Sequence, residues 1–311
     1  MSPPEVTKIV GPALLGEGPH WDHDSQALYY VDLPGSTINK YVPATKKHTT
    51  VNIAGGHVSL VIPLEGTKDK FVIATGSSIA IMTWNGESST PADVKYVYSV
   101  NTEKDAHNTR FNDGKADPTG RFWAGTLPSD IGSLSEPIPE VGTLYSFSND
   151  WNATPQLSKI RISNGMAWTE DRKIMYYIDS MTKKIYSFDV DVKSGHISNK
   201  RTAFDYETNG VEGYPDGMAI DTEGKLWVAC YNGSKVIRVD PTTGKLLSQI
   251  AIPALQVTSV TFGGSQLDEL YVTTGNLNLS EEEQKMYPLS GFIFRVTGVG
   301  VKGYPGQAVK L

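Results

Sequence analysis

The chain has 311 residues, 39% of them hydrophobic, with 30 Gly, 18 Pro and a formal net charge of -6 at pH 7. An acidic balance without Lys/Arg clusters argues against nucleic acid as a partner, because neutralising phosphates takes a basic stripe. The one cysteine, Cys230, excludes an internal disulfide, and the first residues carry no basic segment followed by an apolar stretch. An intracellular, cytoplasmic protein acting on a small molecule, away from membranes, is expected.

In chain order, Lys8 to Leu15 reads as a lone strand ahead of six similar units. Each unit opens on a side chain ending in oxygen (Glu17, Ser59, Asn112, Asn164, Asp216 and Ser259), and about fifteen residues later reaches the end of an apolar or aromatic run. Those runs end at Asp32, Thr75, Thr126, Asp179, Tyr231 and Thr274. The register is plainest where Asn164 opens Asn-Gly-Met-Ala-Trp and Asp216 opens Asp-Gly-Met-Ala-Ile. Steps of 42, 53, 52, 52 and 43 residues separate the six positions, which is the period of four-stranded propeller blades. Length alone suggests two domains, but a repeat that tiles the chain predicts an all-β, six-bladed β-propeller over residues 1–311 as a single domain.

Each predicted first strand runs into a turn such as Asp117–Arg121, Thr169–Lys173 or Asp221–Lys225. The second strands are almost continuously apolar, as strands covered on both faces should be, and the third alternate, as in Lys184–Asp189 and Lys235–Asp240. Two stretches break the pattern. Leu127–Val141 carries Pro128, Pro137 and Pro139; Asn276–Ser290 contains Ser280, expected to cap a short helix with Glu283 reaching back. Insertions of this length often act as lids. A ring of blades leaves one seam, so Lys8–Leu15 is expected to pair with the last blade near Gly291–Thr297.

The six positions converge on the axis of such a ring. Ser59 and Ser259 read as structural, water-binding hydroxyls. Glu17, Asn164 and Asp216 differ, because two carboxylates brought together repel unless a cation or protons lie between them. All three offer oxygen, which suits Ca²⁺, Mg²⁺ or Mn²⁺ better than a thiolate-seeking metal. Arg110 can grip substrate oxygens with its guanidinium fork or pair with a neighbouring carboxylate. Asp130 can stand at the rim or be solvated, and His20 and His57 fall near ring positions, although they and His107 show no ligand spacing. Gly298–Gly303 matches G-x-G-x-x-G but has no helix after it, so it reads as a turn. No H-E-x-x-H, G-x-S-x-G or cysteine pair supports a zincin, a serine hydrolase or a zinc ribbon.

Gly16–Trp21, Arg110–Lys115, Ile162–Gly165, Tyr176–Ser180, Pro215–Met218 and Leu226–Asn232 closely resemble the regucalcin/gluconolactonase family over nearly the whole chain. The resemblance implies a six-bladed propeller with one divalent cation (Ca²⁺, Mg²⁺, Mn²⁺ or Zn²⁺, with Ca²⁺ or Mg²⁺ preferred) held by Glu17, Asn164 and Asp216. It implies Arg110 and Asn112 as substrate contacts. At Asp130 the chain departs from the vertebrate members, which carry a glutamate that touches the sugar. Within the family it is also similar to the insect luciferin-regenerating enzymes, described as turning oxyluciferin towards a cyano-benzothiazole. The expected activity is metal-dependent hydrolysis of a lactone or similar cyclic ester, with Asp216 placed to accept a proton. The luciferin-regenerating reaction and calcium-binding regulation are the alternatives. The closing Val309-Lys310-Leu311 is a weak match to a peroxisomal signal.

Overall fold

The computed structural model describes residues 3–101 and 108–311; His107 lies outside them. Six four-stranded antiparallel sheets form a six-bladed β-propeller. The innermost strands of blades 1 to 6 are Gly16–Asp22, Val58–Pro63, Thr109–Ala116, Ser163–Trp168, Tyr214–Ile220 and Gln256–Gly263. Each packs against the next, and the sixth against the first. The end of the channel where these strands begin is called the upper end below.

The apolar second strands are the core of the ring. Ala27–Asp32, Phe122–Pro128 and Leu226–Tyr231 are buried along nearly their whole length, because blades stack on both of their faces. The turns below the innermost strands carry a repeated device. Asp117 and Asp221 each accept the indole N–H of a second-strand tryptophan, Trp123 and Trp227, at 3.0 Å, so a polar atom can be buried in the wall without penalty. The seam closes through the N-terminal segment, but the pairing strand lies earlier than the expected Lys8–Leu15. Glu5–Val10 becomes the outermost strand of blade 6 and pairs antiparallel with Ile293–Thr297.

Every innermost strand carries a β-bulge at or next to its ring position, and in blade 6 the extra residue is Thr258 rather than the expected Ser259. Asn112 and Asp113, Asn164 and Gly165, and Asp216 and Gly217 each form a two-against-one bulge, while Ser59 and Thr258 are single extra residues. In blade 1 the irregularity falls just after Glu17, at Gly18 and Pro19. Bulges re-aim side chains, which is how consecutive residues of one strand can both face the channel. Gly217 fills the second slot because a Cβ there would lie 1.9 Å from Ser259 Oγ, and one on Gly165 would lie 2.6 Å from the Asp216 carbonyl. In the same slot of blade 3 stands Asp113.

Both insertions join second to third strands at the upper end. Leu127 and Pro128 still belong to a strand, so the first runs from 129 to 141. Ile131, Leu134 and Ile138 fold onto Leu127, Ile162 and Met181, which lays the loop against blade 4. The second holds the exposed helix Glu281–Met286 with the full capping box, the Ser280 hydroxyl accepting from Glu283 N–H and the Glu283 carboxylate accepting from Ser280 N–H at 2.8 Å. Among the described residues no helix is long and apolar enough to cross a membrane.

Candidate metal centre in the channel

The upper channel gathers Glu17, Asn112, Asn164 and Asp216 from blades 1, 3, 4 and 5. Asn164 and Asp216 are each only 6% exposed. A chain of hydrogen bonds fixes them. The Asn112 amide donates to the Ser163 carbonyl at 2.8 Å and to Asn164 Oδ1 at 3.2 Å. Asn164 Nδ2 donates to Ser180 Oγ at 2.8 Å, and that hydroxyl donates to the Pro215 carbonyl at 2.7 Å, next to Asp216. Ser180 therefore sets the orientation of the Asn164 amide and leaves its oxygen as the acceptor aimed inward. Thr258 ties blade 6 to blade 1 by donating to the Gly16 carbonyl at 2.6 Å, beside Glu17.

The electrostatics are those of crowded, desolvated carboxylates. Burial, then the charge of Asp113, pushes Glu17 up to about 8. Burial, Glu17 and Asp113 raise Asp216 well above the carboxylate range. Asp216 Oδ1 is buried without a partner in the protein, a costly arrangement unless a ligand completes it. Among the described residues no three His, Cys, Asp or Glu side chains stand together at ligand distance. The oxygen donors that the upper channel offers are the carboxylates of Glu17 and Asp216 and the amide oxygen of Asn164. Such a set fits a hard divalent cation, and Glu17, Asn164 and Asp216 are the residues that can hold one.

Arg110 lies beside the ring. Its Nη1 donates to the Phe111 carbonyl at 3.2 Å and to Asn112 Oδ1 at 3.3 Å, its Nε is buried without a partner, and burial lowers its pKa to about 10. Asp130 is exposed at the start of the first insertion, where its carboxylate accepts the Gly132 N–H at 3.0 Å. His57 is exposed near Arg110, and His20 stands lower in the channel, three residues along the strand from Glu17.

Asp113, Lys115 and Ser180 carry site functions that the sequence reading leaves unassigned. Lys115 reaches from blade 3 to donate to the Met218 carbonyl of blade 5 at 2.7 Å, spanning the channel below the ring. Burial raises Asp113 and lowers Lys115, while their opposite charges partly restore both. All three lie inside the motifs Arg110–Lys115 and Tyr176–Ser180. Strict strand alternation, however, would turn Asp113 away from Asn112, and only the bulge brings both inward.

Oxygen-bearing side chains ring one end of the axial channel of a six-bladed propeller. The chain belongs to the SMP-30/gluconolactonase/LRE-like family, whose model matches residues 15–276. Regucalcin from Danio rerio is 40% identical over 291 residues, covering 94% of this chain and 93% of its own length. Human regucalcin is 38% identical over 293 residues, with coverage of 93% and 92%. A solved luciferin-regenerating enzyme matches with a TM-score of 0.94 at 43% identity, covering 99% of this chain and 100% of its own. A regucalcin from Agrobacterium tumefaciens, described as a calcium-binding protein, shares the fold with a TM-score of 0.84 at 23% identity, over 97% of this chain and 95% of its own.

Ser180→Ala offers a test of the support around the ring. It removes the anchor of the Asn164 amide and leaves that amide and the Pro215 carbonyl each short of a partner, so divalent-cation affinity should fall about 10- to 100-fold while the melting temperature drops by a few degrees. Calorimetric titration with Ca²⁺ and a thermal melt measure the two effects separately.

Proposed function

We propose that this protein is a divalent-metal-dependent hydrolase that opens a lactone or similar small cyclic ester at the upper end of the channel. The observation that carries the reading is the unpartnered buried oxygen of Asp216, set beside Glu17 and the Ser180-oriented Asn164 amide. A divalent cation held by these three residues would polarise the ester carbonyl and acidify an attacking water. Arg110 would donate towards substrate oxygens with its remaining guanidinium N–H groups, and Asn112, whose own two N–H groups are taken by the Ser163 carbonyl and Asn164 Oδ1, would line the same side of the site and hold the guanidinium through its Oδ1. Asp216 cannot hold the cation and act as a free base at once, so it would take up the proton released in attack only by loosening its hold on the cation, or an acidified water would attack unaided. Lys115 and Asp113 set the charge below the ring.

A second reading is favoured by the 43% identity to the luciferin-regenerating enzyme: action on oxyluciferin to give a cyano-benzothiazole. One screen separates them. Protein stripped of metal and then restored with Ca²⁺, Mg²⁺, Mn²⁺ or Zn²⁺ is assayed on gluconolactone, alkyl and aromatic lactones, and oxyluciferin. Turnover of lactones only in restored protein supports the hydrolase. Tight Ca²⁺ binding without turnover of any of them would leave a calcium-binding regulator.

Asp130 carries the specificity part of the proposal. Its shorter side chain and the proline-stiffened loop after it should favour flat aromatic or alkyl-substituted lactones over gluconolactone, and Asp130→Glu should shift preference towards the sugar. The kcat/KM ratio for the two classes, measured in both proteins, is the check. A wild-type preference for gluconolactone that the substitution leaves unchanged would remove Asp130 from substrate choice.

A further inference from the structure

Residues 298–311 leave blade 6 at the lower end, opposite the ring of oxygens. They do not hang free. The Lys302 carbonyl accepts from Thr222 N–H of blade 5 at 2.8 Å, and Gly303 N–H donates to the Leu267 carbonyl of blade 6 at 2.8 Å. Gly303 packs so tightly that an added Cβ would stand 2.1 Å from the Phe262 ring. The Tyr304 hydroxyl reaches Glu170 of blade 4 at 3.3 Å. Two residues on, Gly306 presses on blade 1, where a Cβ would lie 2.7 Å from His20 Cε1 and 2.9 Å from the Trp21 carbonyl. Val309, 1% exposed, exchanges backbone hydrogen bonds with blade 2, donating to the Pro63 carbonyl at 2.9 Å and accepting from Glu65 N–H at 2.8 Å. Lys310 N–H donates to the Gly120 carbonyl of blade 3 at 2.9 Å.

The segment thus touches the lower turns or innermost strands of all six blades. Blades 4 and 1 face each other across a ring of six. A chain that meets one at Tyr304 and the other at Gly306 must therefore pass beneath the axis. Above it stands His20, on the same strand as Glu17, and the charge of Lys115 acts on that imidazole. We propose that residues 302–310 are the floor of the channel. They close its lower mouth, so that substrate and water reach the ring from the upper end alone, and they position His20 and through it the strand that carries Glu17. Gly306 and Val309 are positioning residues in this scheme. Gly306 is bare because the imidazole occupies the space of a side chain, and Val309 is the buried anchor that keeps the segment in place.

Two substitutions test the floor. Val309→Asp should lift the anchored end, and Gly306→Val should push His20 aside while leaving the anchors in place. In cation-free protein well below its melting temperature, amide exchange read by mass spectrometry should speed at least tenfold in Gly16–Asp22 and Thr109–Ala116 of Val309→Asp. The outer strand Lys245–Ala251 should keep its wild-type rate. Gly306→Val should weaken Ca²⁺ binding about tenfold. If Val309→Asp does not fold, Gly306→Val, at an exposed backbone position, decides by the same exchange and binding measurements. Lowered melting temperatures with unchanged innermost-strand exchange and unchanged Ca²⁺ affinity would reduce the segment to a staple and overturn the proposal. The binding arm rests on the cation reading above. A wild-type protein that binds no cation would defeat that reading, while the exchange arm would still judge the floor.

Discussion

Asp216→Asn is expected to lower divalent-cation affinity by more than about 100-fold and to remove hydrolysis with it. Loss of a supporting group around a metal typically costs 10- to 100-fold, and a ligand carboxylate should exceed that. Asparagine keeps the shape of the side chain, so the Asp216–Gly217 bulge and the close packing of Gly217 on Ser259 are preserved and the change is one of charge. Asn164→Ala should weaken binding less, because a neutral amide contributes less than a carboxylate to a hard cation. Calorimetric titration with Ca²⁺, run beside a lactone assay, distinguishes the roles. Lost activity at unchanged affinity would make Asp216 a base and remove it from the ligand set.

The cation-free protein should lose stability as pH rises from about 6.5 through about 8, and a saturating divalent cation should abolish that loss. The sign follows from which state holds the proton. Burial and Asp113 push Glu17 up to about 8, whereas the unfolded chain releases that proton near 4.5. Between those values the folded protein is the more protonated state, so raising pH favours unfolding, and the contribution is gone once pH passes the folded value. The raised carboxyls of Asp216 and Asp113 act in the same direction. His20 opposes them at lower pH. Burial lowers it to about 4 from 6.5, so between those values the unfolded chain is the more protonated and stability rises with pH. The interval above 6.5 is therefore the clear window. Melting temperatures across pH 6.5 to 8.5, with and without Ca²⁺, check it. A cation-free melting temperature that stays flat or climbs over this interval would show that Glu17 is not held protonated. Because binding displaces those protons, cation affinity should also rise with pH up to about 8.

The architecture was legible because it is written locally and repeated. Asn164-Gly-Met-Ala and Asp216-Gly-Met-Ala mark the same place in successive blades, and the apolar run after each is the buried second strand. Ser280 and Glu283 announced their capping box because its partners are three residues apart. Glu17, Asn112, Asn164 and Asp216 followed from the register, whereas in blade 6 a count of about fifteen residues fell on Ser259, one past the extra residue Thr258. Asp113 did not, because its direction depends on a bulge that breaks the two-residue period on which strand reading relies. Ser180 was hidden for another reason: its work is to accept from Asn164 and donate to Pro215, contacts between elements that no spacing encodes. Residues 298–311 carry no periodicity at all. Their role comes from contacts with turns distributed through the whole chain, so Gly298–Gly303 could be read only as a turn.

The central claim is that Glu17, Asn164 and Asp216 share one divalent cation, and anomalous diffraction from crystals soaked in Mn²⁺ tests it most directly. The account predicts one strong peak in the upper channel, about 2.0–2.6 Å from an oxygen of each of the three residues. A channel without such a peak, or a peak on other side chains, would contradict it.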